Sequence, residues 1–324
     1  MYRTLRAPIS VQIEVTEYCD NCCLHCYNFW RVKDATALHS LPSFIIMRSN
    51  TLPRLEVKED KEQDKKLFVS FMQDGGVNYR KIINSYLKLK SEEIVPDFID
   101  QLYSQYKSQI DKIIEKEAGV LKGANNTIFS GLEKVMGCGW DSSLVFYAIP
   151  TFLPFCPFGK NCFYFSIYNE VIEGKENRRR VDRIAIHELS HMCWYQKLEK
   201  AYKELGFELN HATNYYLKEA FAAIIGECEE FSKINGGHSP ANHNVSLLRV
   251  VSNGKEMEFV DFFRKLFNEG RKKGLDFDAI LKEVLRIGQG IQNELDEKWS
   301  LWNKYGDSPD KLSESGYQSR LLGL

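Results

Sequence analysis

Residues 10–18 (Ser-Val-Gln-Ile-Glu-Val-Thr-Glu-Tyr) alternate between apolar and polar positions, the period-2 pattern of a half-buried strand, and run straight into a cluster of cysteines. From 33 to about 74 the pattern weakens, with a short strand suggested at 43–47 and a charged stretch at 56–66. Helical spacing then takes over at 78–90 and 96–116. In the second of these, Phe98, Ile99, Leu102, Tyr103, Tyr106, Ile110, Ile113 and Ile114 recur at three and four residues, and Pro96 suits the first turn. Residues 143–149 and 161–168 are rich in aromatic and branched side chains and flank a connection containing Pro and Gly, so they read as paired strands. Beyond Arg178 the chain reads as mostly helical to about Tyr305. It includes one helix over 181–205 and another over 214–234 that ends at Gly236-Gly237. No internal repeat or low-complexity tract interrupts this order.

Composition narrows the classes that fit. A chain of 324 residues with 44% hydrophobic content can bury a sizeable core and has room for two domains. Lys and Arg total 43 against 44 for Asp and Glu, a balance that argues against nucleic acid or an anionic membrane surface as partner. The longest apolar runs, at 44–47 and 144–149, fall far short of the ~18 residues of a membrane span. Arg3 and Arg6 are followed by no apolar leader core, so a secretory signal is not expected and the cytoplasm is the expected address. Arg178-Arg179-Arg180, with Glu170, Glu173 and Glu176 nearby, reads as solvated surface.

The most informative residues are His187-Glu188-Leu189-Ser190-His191, an H-E-x-x-H sequence inside the predicted helix 181–205. Residues four apart share a helix face, so His187 and His191 can offer imidazole nitrogens to one Zn²⁺, with Glu188 beside them as general base. Catalytic zinc generally takes three protein ligands, so a third must come from elsewhere. Glu219 is the leading candidate. On a helix it shares a face with Ala222, Ala223 and Gly226, small residues that would let the two helices approach closely. Glu227, Glu229 and Glu230 are rivals that read instead as a solvated acidic cluster.

H-E-x-x-H followed by a helical Glu219-Ala220-Phe221-Ala222 resembles the gluzincin branch of zinc metallopeptidases, the group typified by thermolysin, over about residues 140–235. The resemblance implies a zincin-like fold, with His187, His191 and Glu219 as zinc ligands and Glu188 as base in peptide-bond hydrolysis. It also implies a sheet-edge strand ahead of the active-site helix, here 162–168, to which an extended peptide or protein substrate would add as a further strand. The family's oxyanion-stabilising Tyr or His has no matching position; His211, Tyr215, Tyr216, His238 and His243 are the candidates. Ala223 stands where acidic support for the Glu ligand would be, so orientation of that ligand must come from another group. A weaker similarity is to intracellular peptidases that cleave phage repressors, which combine H-E-x-x-H with a later Glu and a Phe-Ala pair, here Phe221-Ala222.

Nine cysteines complete the inventory, and Cys19, Cys22, Cys23 and Cys26 crowd together. Such crowding favours metal ligation over disulfides. Cys19, Cys23 and Cys26, followed by Tyr27, resemble the loop that holds a [4Fe-4S] cluster in radical S-adenosylmethionine enzymes, over about residues 10–31. No Gly-Gly-Glu-Pro-like segment and no barrel pattern follow. The loop therefore reads as a fragment of radical-enzyme descent, as an iron-sulfur or zinc centre to which Cys22 and His25 could add ligands, or as an inert loop. Cys138, Cys156, Cys162, Cys193 and Cys228 read as small buried hydrophobes.

The sequence thus predicts an α+β protein with a small sheet whose edge strand packs on an active-site helix, mostly helical elsewhere. Its segments are a cysteine-rich arm (1–35), a mainly helical stretch (36–140) and a zinc metallopeptidase domain (141–324). Two other readings stand beside this one: an iron-sulfur protein of radical-enzyme descent, and a peptide-binding module without catalysis.

Overall fold

Among the described residues of a computed structural model, helices and two small sheets give an α+β composition, as the hydrophobic spacing predicts. The structure describes residues 52–73, 83–84, 95–175, 180–252, 254–306, 309–319 and 321. The expected strands at 10–18 and 43–47, most of the helix at 78–90, and Cys19, Cys22, Cys23, His25 and Cys26 lie outside the described residues. The described residues form two compact units. Those of the first lie within Met1–Gly75, Ile82–Gly119 and Asp141–Arg178, and those of the second within Gly76–Lys81, Val120–Trp140 and Arg179–Leu324.

In the first unit, strands β1 (Arg54–Val57), β2 (Val145–Thr151) and β3 (Cys162–Ser166) form one parallel sheet in that order. The two strands expected around 143–168 do pair, with Ala148 opposite Phe163. Phe146, Ala148, Ile149, Pro150 and Thr151 are all buried, which explains why β2 reads as a continuous apolar run instead of alternating. Helix α1 (Lys61–Gln73) follows β1, and the helix expected over 96–116 is two helices, α2 (Val95–Gln105) and α3 (Lys107–Met136), meeting at Tyr106. Asp64 of α1 is fully buried. It accepts hydrogen bonds from Thr151 Oγ1 at 2.5 Å and Tyr103 OH at 3.1 Å, which ties α1 and α2 to the end of β2.

The chain between β2 and β3 doubles back along the outer side of β3. Tyr164 N–H donates to Pro157 C=O and Gly159 N–H donates to Cys162 C=O, both at 2.8 Å. This segment already occupies the part of the β3 edge that the sequence suggested for an incoming substrate strand.

The second unit is organised around α5 (His211–Gly226), which packs against α4 (Val181–Leu205), α6 (Phe259–Lys272) and α7 (Phe277–Tyr305). Fourteen of the sixteen residues of α5 are buried, so it is apolar nearly all round and has no solvent stripe. At its centre Phe221 meets the rings of Trp194, Phe263, Phe267 and Phe277. Gly288 of α7 permits this packing, since a Cβ there would lie 2.8 Å from Leu217 Cδ1. The helix expected over 214–234 stops at Gly226. A 3-10 turn (Glu229–Phe231) and one helical turn (Ser232–Asn235) follow, ending at Gly236 with φ +65°. A hairpin of β4 (Arg249–Ser252) and β5 (Lys255–Glu258) interrupts the region that reads as helical. Cys138 and Cys193 form a disulfide with Cα atoms 5.7 Å apart, correcting the expectation of thiols at these two positions; Cys162 and Cys228 are buried as expected and Cys156 is half-buried, none of the three in a disulfide. Among the described residues no helix is long and apolar enough to cross a membrane.

Candidate metal centre

Two helices bring the site together, and a buried side-chain bond fixes their register. Trp194 of α4 donates its indole N–H to Asn214 Oδ1 of α5 at 2.9 Å. Asn210 caps α5 by accepting from Thr213 N–H, and Gly206 ends α4 in the left-handed conformation at φ 76°. Within this frame His187 and His191, one turn apart on α4, meet Glu219 from α5. The three ligand atoms lie within 4.8 Å of one another and all three residues are buried. Glu188 lies in the same buried stretch of α4.

The spacing suits an ion. His187 Nε2 stands 3.2 Å from Glu219 Oε2, and His191 Nε2 stands 3.4 Å from Glu219 Oε1. Two donors bound at 2.0–2.1 Å with tetrahedral angles lie roughly 3.3 Å apart, close to each of these two contacts, which involve different oxygens of the carboxylate. Protonation suits it too. Burial, and then the charge of Lys218, push the His191 ring down to about 3, so the imidazole stays neutral at neutral pH. Burial raises the Glu219 carboxyl, but the charge of Lys218 and the contacts with the two histidines outweigh it and hold the group well below the usual carboxylate range. His191 and Glu219 therefore both keep lone pairs for a cation. This buried His187, His191 and Glu219 group could hold a metal ion.

Two further residues attach to the carboxylate. Asn242 donates from Nδ2 to Glu219 Oε2 at 2.7 Å. It sits at the N-cap of a short helix (His243–Ser246) but makes no capping bond there, since its side chain turns to Glu219. This is the orienting group that the sequence left unassigned. Lys218 donates from Nζ to Glu219 Oε1 and lies 3.5 Å from His191 Nε2. Neither residue was singled out in the sequence. The available signal was Lys218 itself, a second charge beside Glu219 in an otherwise apolar stretch of helix.

Of the five residues considered for an oxyanion role, Tyr215 is tied to this cluster, with Lys218 Nζ 5.1 Å from its ring centroid. Tyr216 shares a 3.1 Å hydrogen bond with Tyr317, His211 packs against Trp299, His243 packs against Trp302, and His238 is exposed. Of the three rival carboxylates Glu229 is exposed, and the other two are engaged elsewhere. Glu227 pairs with Arg264, and Glu230 pairs with Lys134 and Arg271, so these two are ion-paired and not simply solvated. Gly226, expected to ease the approach of α4, instead makes room for Ser239, whose Oγ would lie 2.5 Å from a Cβ there. Comparison of the chain with protein families, curated proteins and solved structures returns no match.

Proposed function

We propose that the chain is a zinc-dependent metallopeptidase of zincin-like construction, acting on a peptide or protein substrate. The observation that carries this reading is the convergence of Glu219 on His187 and His191, with their ligand atoms within 4.8 Å of one another in a buried site. His187, His191 and Glu219 would hold the zinc, which supplies Lewis acidity to a substrate carbonyl and lowers the pKa of a water molecule. Asn242 fixes one oxygen of Glu219, so the carboxylate need not be reoriented for binding. Glu188, adjacent to His187 on α4, is the base: it takes a proton from the attacking water and delivers it to the leaving amine.

The test uses the full chain, zinc analysis, and hydrolysis of an unstructured protein such as fluorescein-labelled casein. Near-stoichiometric zinc is expected, lost in His187→Ala and His191→Ala. Glu188→Gln is expected to keep the zinc while hydrolysis falls about 10²–10⁴-fold. Full activity in Glu188→Gln, or a chain that binds no zinc, would refute the reading. Iron with acid-labile sulfide, lost when Cys19, Cys23 and Cys26 are replaced, would favour the iron-sulfur alternative.

A further inference from the structure

Lysines are seldom buried unless paired, and Lys218 is only 8% exposed. Its ammonium contacts Glu219 Oε1 and lies 3.5 Å from His191 Nε2. These belong to two of the three side chains that would hold an ion. A lone pair directed at an N–H donor is not directed at a metal, so an ammonium and a divalent ion compete for the same seat. We propose that Lys218 is a resident cation that a divalent ion must displace from the triad, so that metal uptake is coupled to movement of the lysine head. The inference rests on the metal-binding role given to the triad above.

The local geometry allows the movement. Lys218 and Glu219 are consecutive on α5 and leave the helix about 100° apart. Their charged ends meet because the four-carbon stem of the lysine bends toward the carboxylate, and a stem of that kind releases by rotamer changes without disturbing α5. A second seat lies close by. The Tyr215 ring, one turn earlier on α5, has its centroid 5.1 Å from the ammonium, within reach of a cation–π contact. Asn244 Nδ2 donates to Tyr215 OH at 3.1 Å and steadies that ring. Lysine therefore gives up its carboxylate contact and keeps its aromatic one. A remote surface lysine acts on the site only through screened repulsion, whereas Lys218 also competes for the ligand atoms themselves.

Zn²⁺ affinity of the full chain, measured by competition with a chromogenic chelator, tests this. The set comprises wild type, Lys218→Met, Lys218→Gln, Lys218→Arg, and Lys197→Met as a control on a lysine paired with Asp278. Both neutral variants are expected to lower the Kd by about tenfold or more, with Lys218→Arg and the control within about threefold of wild type. Should Lys218→Met fail to fold, Lys218→Gln carries the comparison. Unchanged or weaker affinity in the neutral variants overturns displacement; if wild type still binds Zn²⁺ and His187→Ala does not, the triad reading survives alone. An equal gain in the control assigns the effect to general charge and also overturns the proposal. No Zn²⁺ binding by wild type or any variant removes both readings together.

Discussion

At the scale of single residues, Glu219 joins everything at the site, and its second oxygen is held by a residue from another element. Replacing Asn242 by Ala removes a 2.7 Å bond to Glu219 Oε2 and frees the carboxylate to rotate. Loss of such an outer partner typically costs about 10–100-fold in metal affinity, which is the fall expected for Asn242→Ala in a chelator competition. The histidine pair was legible in the sequence because helix periodicity converts spacing into a shared face, whereas Glu219, on another helix, was reached from the small residues on its own face and from the family resemblance. Asn242 was not legible: its role depends on a loop folding back onto α5, which no local pattern encodes.

Asp64 yields a residue-scale prediction in the other unit. Burial pushes its carboxyl up to about 7, despite hydrogen bonds from Thr151, Tyr103 and the Phe152 N–H. The fold thus favours the neutral acid, whereas the unfolded chain ionises near pH 3.9. Stability contributed by this group is present below about pH 4 and is lost as pH rises to 7, about 4 kcal/mol in all. Urea denaturation of wild type and Asp64→Asn checks it. The stability of wild type relative to the variant is expected to fall by on the order of 3 kcal/mol between pH 5 and pH 8.

Among the elements, α4 was the most legible. The expected span of α4 at 181–205 agrees with the structure because apolar spacing fills it and Gly206 closes it. The β4–β5 hairpin was missed: its strands have four residues each, and β5 is Lys-Glu-Met-Glu, with too little apolar surface to announce a strand. The split of one predicted helix at Tyr106 was also invisible, since the apolar spacing continues through it. The Cys138–Cys193 bond could not be read either, because 55 residues separate the partners and both sit in apolar surroundings. Chain-entropy reasoning for a loop of that length gives roughly 4 kcal/mol of stabilisation through the unfolded state. Cys138→Ser is therefore expected to lower the urea midpoint. Reductant should lower that of wild type similarly and leave the variant unmoved.

For the whole molecule, an ion held between two helices would link metal affinity to stability. Zinc that binds the folded chain and not the unfolded one stabilises it by about 4 kcal/mol at a free concentration 1,000 times its Kd. Calorimetry is expected to show a Tm that rises with added Zn²⁺ and falls with chelator, and that is indifferent to both in Glu219→Ala. Such linkage fits a triad whose members come from α4 and α5, since unfolding of either helix separates the ligands.

The backward loop beside β3 bears on how copies of this protein coexist at high concentration. Strand rims are ordinarily templates on which neighbouring molecules can polymerise. Here Pro157 and Gly159 engage the outward backbone groups of Tyr164 and Cys162, and proline offers no N–H to a newcomer. Growth of the sheet past β3 would require peeling that loop away first, so the connection acts as a guard against fibril-like stacking.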